Sequence, residues 1–255
     1  MLFDSHAHYN DDRFSDDVDE LLSQMVDNNV TRIMNACSSI DEIEYNLELC
    51  EKYPFMYASV GVHPHEVHSM TDSDIETLKK YSCHEKVKAI GEIGLDYYYD
   101  NSPRDLQKKW FARQLELARE VKLPVIIHDR DAHSDTLQIL KNGKVIDCGG
   151  VFHCYSGSAE MAKDVLDMGM YIAFGGSITF KKAQKPVEAV KYVPLDRILI
   201  ETDCPYLTPE PFRGKRNSSL YIHLVAEKIA QIKEVSVEEV ENITFENAKK
   251  CFNIL

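Results

Sequence analysis

Leu2-Phe3-Asp4-Ser5-His6-Ala7-His8 opens the chain with an apolar start that runs into two histidines two residues apart. In extended backbone successive side chains alternate faces, so a strand here would aim both imidazoles the same way, half of a metal site. Four further residues with ligand chemistry follow other apolar runs. Glu92 comes after Val87-Lys88-Ala89-Ile90-Gly91, His128 after Val125-Ile126-Ile127, His153 after Val151-Phe152, and Asp203 after Ile198-Leu199-Ile200-Glu201-Thr202. Each stands where a strand would give way to a loop. One such residue means little, but five strand ends carrying His, Glu or Asp describe a site assembled along one edge of a sheet.

Apolar runs of strand type alternate with helical periodicity along the chain. Strands are expected over 2–8, 31–36, 55–60, 87–90, 124–128, 149–153, 171–174 and 197–201. Between them Val18, Leu21, Leu22 and Met25, then Leu106, Trp110, Leu117 and Val121, recur at helical spacing. Pro103 suits the first position of a helix begun by Ser102, and Ser236 with Glu239 forms a capping box that starts a C-terminal helix. Eight strand and helix alternations predict an α/β fold, the (β/α)8 barrel, with a short helical C-terminal tail. From His8 to Glu92 is 84 residues, three units of 28, and the later steps of 36, 25 and 50 residues fit one, one and two units. The candidate ligands then fall at the C-terminal ends of strands 1, 4, 5, 6 and 8, where barrel enzymes carry their chemistry. A doubly wound open sheet competes, but no glycine-rich phosphate fingerprint follows the first strand.

At 255 residues, with nothing resembling a linker, the chain reads as a single domain spanning 1–255. A formal charge of −13 argues against a generally basic surface for coating nucleic acid, although a local phosphate site can still be built on bound cations. Seven scattered cysteines without a CxxC pair read as reduced thiols of a cytoplasmic protein. No secretory leader or membrane-length apolar run is evident, and nothing indicates an obligate protein partner.

Seven stretches together resemble one family nearly end to end. They are Phe3 to His8, Gly61-Val62-His63-Pro64-His65, Gly91-Glu92-Ile93-Gly94-Leu95-Asp96-Tyr97, Ile127-His128-Asp129-Arg130, Phe152-His153-Cys154-Tyr155-Ser156-Gly157, Glu201-Thr202-Asp203-Cys204-Pro205-Tyr206-Leu207 and Arg213-Gly214-Lys215-Arg216-Asn217. This set is similar to the TatD-type metal-dependent hydrolases, the deoxyribonuclease branch of the amidohydrolase-like barrels. The resemblance implies one divalent metal ion on His6, His8, Glu92 and Asp203 and a second on Glu92, His128 and His153, with Glu92 bridging. It also implies a magnesium-activated 3′-end exonuclease, whereas the histidines suit zinc or manganese. The proline that usually follows two residues past the family's asparagine is missing from Asn217-Ser218-Ser219.

Read in that light, the chemistry is DNA phosphodiester hydrolysis by water activated between two cations. Asp203 is the candidate general base, since a ligand bound through one oxygen keeps the other for a proton, and Glu92 has two oxygens to share. Arg104, Lys181, Lys182, Arg213, Lys215 and Arg216 lie in segments able to reach the ligand face. Tyr97, Tyr98, Tyr99, Tyr155 and Tyr206 can stack on unpaired bases, which favours single-stranded DNA or 3′ ends. The substrate contacts expected are His63, Arg213, Tyr155 and Lys215. Plainer readings stand beside these: His63 and His65 as turn residues, the tyrosine run as packing, the basic run as a solvated surface. Two other functions compete: a barrel hydrolase of a carboxylic ester, lactone or amide, and a non-catalytic binding protein stabilised by metal.

Overall fold

Phe3, Met34, Ala89, Ile126, Val151, Ala173 and Leu199 come from seven different strands, yet they form one buried cluster. Only the inside of a closed sheet allows this. In the computed structural model, which describes residues 1–254, the strands are β1 (Leu2–Ala7), β2 (Val30–Asn35), β3 (Met56–Val60), β4 (Val87–Asp96), β5 (Val125–Arg130), β6 (Gly150–Phe152), β7 (Tyr171–Phe174) and β8 (Ile198–Ile200). All neighbours pair in parallel in sequence order. The seam between β8 and β1 is closed just beyond the last strand. Asp203 donates its backbone N–H to the His6 carbonyl at 2.9 Å, and His8 donates to the Cys204 carbonyl at 2.8 Å. This is the eight-stranded (β/α)8 barrel that the spacing predicts.

Helices α1 (Val18–Ser23), α2 (Ile43–Lys52), α3 (Asp72–Tyr81), α4 (Arg104–Val121), α5 (His133–Asn142), α6 (Ala159–Asp167), α7 (Gln184–Tyr192) and α8 (Ile222–Lys233) wrap the outside. The longest, α4, buries Trp110, Phe111, Leu115, Leu117 and Ala118 on one stripe. The tail helix α9 (Val237–Cys251) crosses the bottom of the barrel, where the Phe245 and Phe252 rings lie 6.2 and 5.9 Å from Phe3. Removing such a buried ring typically costs about 3–5 kcal/mol. No helix among the described residues is long and apolar enough to cross a membrane.

Two irregularities in the sheet decide where the candidate ligand residues point. Asp4 pairs with Ile33 and Ala7 with Asn35, so three steps on β1 face two on β2. Likewise Ile90 pairs with Val125 and Ile93 with Ile127, three steps on β4 against two on β5. Each bulge inverts the alternation of its strand. Phe3 and Ala89 fill the barrel floor, and after the bulges His6, His8 and Glu92 point inward as well.

Two local expectations are corrected. Strand β4 continues six residues past its expected end at Ile90, because Gly91 and Gly94 do not break it. They let it press against β5: a Cβ at Gly94, whose φ is +150°, would lie 1.9 Å from the His128 carbonyl oxygen. Pro103 caps α4 instead of occupying its first turn. Ser102 instead donates to the His65 carbonyl at 2.8 Å. A short 3-10 turn, Ser219–Tyr221, precedes α8. Ser219 fills the place opened by the missing proline, donating its hydroxyl to Asp4 at 2.6 Å.

Candidate active site

The C-terminal mouth of the barrel collects every residue that the strand ends singled out. On one side His6 Nε2 lies 3.2 Å from Glu92 Oε2, His8 Nε2 lies 3.5 Å from the same oxygen, and Asp203 Oδ1 is 3.5 Å from His8 Nε2. On the other, His128 Nδ1 and His153 Nε2 each lie 2.8 Å from Glu92 Oε1. His63 Nε2 approaches that oxygen at 3.5 Å. The two oxygens of one carboxylate thus face two different histidine sets. Asp203 and Cys154, which follows His153, hold left-handed backbone at φ 55° and 44°. Such values in non-glycine residues are enriched at functional sites.

The donors fit a metal. Nitrogen and oxygen ligands bind zinc at about 2.0–2.2 Å, which sets donors of one ion roughly 3.0–3.6 Å apart. His6 Nε2 and His8 Nε2 are 3.0 Å apart and turned toward the same carboxylate oxygen. Two imidazole nitrogens this close, turned toward one buried carboxylate oxygen, suit a shared cation. His6 Nδ1, His153 Nδ1 and Glu201 Oε2 are buried without a partner, so Glu201 crowds a further carboxylate behind His153, its Oε1 lying 3.6 Å from His153 Nδ1.

Electrostatics keeps the carboxylates ionised. Burial alone would raise Glu92, but His153, His63, His6 and His128 hold it well below the usual carboxylate range. Burial likewise opposes ionisation of Asp203, and the His8 hydrogen bond with the nearby imidazoles overcomes it. His128 feels burial first, then Asp96 and Glu92, and ends up raised to about 8.

Asp96 was not among the candidate ligands, since the expected strand stopped short of it. Its Oδ2 receives His128 Nε2 at 3.1 Å and His65 Nε2 at 2.9 Å. A carboxylate behind a histidine that is to hold a metal would fix its ring and tautomer. With the Nε2–H donated to Asp96, a neutral His128 would turn its Nδ1 lone pair to Glu92's side of the site, whereas the protonated ring donates Nδ1–H to Glu92. The sequence signal was available: Asp96 ends a run that alternates inward and outward once the bulge is counted.

The expected substrate contacts divide. His63 is buried within the ligand cluster. Arg213 and Lys215 are exposed in the loop after β8, Arg213 over the Phe180 ring at 4.1 Å. Tyr155 does not offer its ring to a base: it is 2 % exposed, packed on Phe152 and Phe174, with its hydroxyl donating to the Ser158 carbonyl. It faces the core because a strand-end aromatic finds more apolar area inward than at the mouth. Arg216 is held by Asp17 at 2.5 Å and Arg104 by Asp100 at 3.0 Å, so both spend their charge on neighbours.

A (β/α)8 barrel with buried imidazoles and shared carboxylates at its C-terminal mouth is a metal-dependent hydrolase. The family model described as "TatD related DNase" matches residues 3–253, and the chain belongs to the TatD family. It is 49 % identical over 254 residues to the metal-dependent hydrolase YabD of Bacillus subtilis, covering the whole of both chains. It is 39 % identical over 257 residues to the metal-dependent hydrolase YcfH of Escherichia coli, covering all of this chain and 96 % of that one. Among solved structures, the TatD homolog YJJV of Escherichia coli superposes with a TM-score of 0.93 at 29 % identity, over 100 % of this chain and 98 % of that one.

Proposed function

We propose that the site hydrolyses phosphodiester bonds in DNA with two divalent ions, magnesium, manganese or zinc, removing nucleotides from the 3′ ends of single strands. The observation that carries this reading is the division of Glu92, with Oε2 toward His6 and His8 and Oε1 toward His128 and His153. In this reading His6, His8, Asp203 and Glu92 hold one ion, and Glu92, His128 and His153 hold the other. Bound together, such ions neutralise a phosphate and make water acidic enough to attack near pH 7. The chain's own residues do the rest. Asp203, 16 % exposed toward the mouth and kept ionised, accepts the proton of the attacking water. His63 donates to a phosphate oxygen from beside Glu92, while Arg213 and Lys215 hold the neighbouring phosphates. The description of the matching family as a DNase supports the polymer as substrate.

The test is hydrolysis of a 3′-labelled single-stranded oligonucleotide by metal-stripped protein supplied with magnesium, manganese or zinc. Stepwise loss of nucleotides that needs metal and Asp203 supports the reading. Turnover of a lactone or carboxylic ester with intact DNA would replace it by the carbonyl hydrolase.

A further inference from the structure

Arg130 ends β5 two residues beyond His128, so its side chain leaves the same face of the strand one pleat nearer the mouth. Its guanidinium lies 4.2 Å from the centroid of the Tyr98 ring and 4.8 Å from that of Tyr99. Both rings are more than half exposed, at 58 % and 55 %, and meet edge to face at 4.9 Å. The group is fixed to the metal site. Asp96 Oδ1 accepts the backbone N–H of Tyr98 at 3.0 Å and of Tyr99 at 2.9 Å, while its Oδ2 receives His128 and His65. The Tyr99 ring edges on His65 at 5.4 Å. Around the mouth Arg13 is paired with Asp11, Arg104 with Asp100 and Arg216 with Asp17, whereas Arg130 enters no ion pair among the described residues. An unpaired guanidinium on two exposed rings suits a ligand that is anionic at one end and flat at the other.

We propose that Arg130, Tyr98 and Tyr99 form the subsite for the nucleotide adjoining the scissile phosphate in a single strand. Arg130 takes that nucleotide's phosphate and a tyrosine face takes its base. This rests on the nuclease reading and deepens it, because a base locked inside a duplex cannot reach an exposed ring. The subsite therefore selects single strands or frayed ends. The three side chains are exposed, so their replacement leaves the barrel core intact.

Binding of a fluorescent single-stranded oligonucleotide with phosphorothioate linkages to magnesium-loaded protein tests this. Arg130→Ala should weaken binding about tenfold and flatten the dependence of log affinity on log salt by about 0.7. Arg130→Lys should restore the salt slope. Tyr98→Ala combined with Tyr99→Ala should weaken binding about tenfold while leaving the slope in place. Unchanged affinity and slope in Arg130→Ala, from protein whose wild type degrades the strand, overturns the subsite and leaves the nuclease reading standing. A wild type that binds the strand through Arg130 yet degrades no nucleic acid overturns the nuclease reading, and with it the placement beside a scissile bond, and keeps only the single-strand contact. A wild type that binds no strand overturns both.

Discussion

The backbone N–H of Asp203 donates to the carbonyl of His6 at 2.9 Å, joining the two ends of the barrel sheet at the point where their side chains approach, His6 Nε2 lying 3.9 Å from Asp203 Oδ1. Because backbone atoms make this link, Asp203→Asn keeps the seam while it removes the proton acceptor and one anionic metal donor. The expected outcome is a folded protein whose melting temperature without metal is unchanged and whose turnover is lowered about 10²–10⁴-fold, the range for loss of a positioned base. Single-turnover kinetics beside a thermal melt would check it. Full activity would move the base elsewhere.

Glu92→Gln retains one carbonyl oxygen and loses the charge that both histidine sets share. Metal content measured on the purified protein should fall on both sides of the site, together with activity. Chelation of the wild type tests the same point through stability. An ion at 100 times its dissociation constant stabilises by about 2.7 kcal/mol, which for a chain of this size raises the melting temperature by roughly 5–10 °C. A melting temperature that chelator leaves unmoved would mean that the donors hold no ion in solution.

Asp96→Asn should weaken metal binding on the His128 side alone, by about 10- to 100-fold, since Asp96 fixes that ring and does not touch His6 or His8. Calorimetric titration should then show one weak and one ordinary site. Equal loss at both would indicate a general disturbance of the mouth.

His133, in the first turn of α5, pairs with Asp129, and that hydrogen bond raises its pKa above the ordinary 6.5. Its stabilisation is complete below pH 6.5 and fades as pH rises through the higher folded value. The side chain is 42 % exposed, so solvent screening keeps the effect under about 1 kcal/mol. His133→Gln should therefore lower the melting temperature at pH 6 and leave it nearly unchanged at pH 9. A deficit independent of pH would show packing, not charge, at work.

Much of this architecture was legible in the chain. Eight apolar runs at even spacing specify a parallel barrel because each run is too short and too apolar to be covered except by helices on one side and other strands on the other. The positions of His6, His8, Glu92, His128, His153 and Asp203 at the ends of those runs marked a site before any coordinate did. Residue type limited what else could be read. Tyr155 looks the same as Tyr98 in a sequence, and only the packing of Phe152 and Phe174 around it separates a core ring from an exposed one.

The sequence by itself determined the barrel and its order of strands and marked the candidate donors, because hydrophobic periodicity is local and repeats eight times. The tertiary structure decided which way the donors face. An unbroken β1 that buries Phe3 in the floor would turn His6 outward, and an unbroken β4 that buries Ala89 would turn Glu92 away. The extra residue in each strand is fixed by pairing with β2 and β5, contacts between segments distant along the chain. Asp96 escaped for the same reason. Its strand continues through two glycines only because β5 lies close enough to need them.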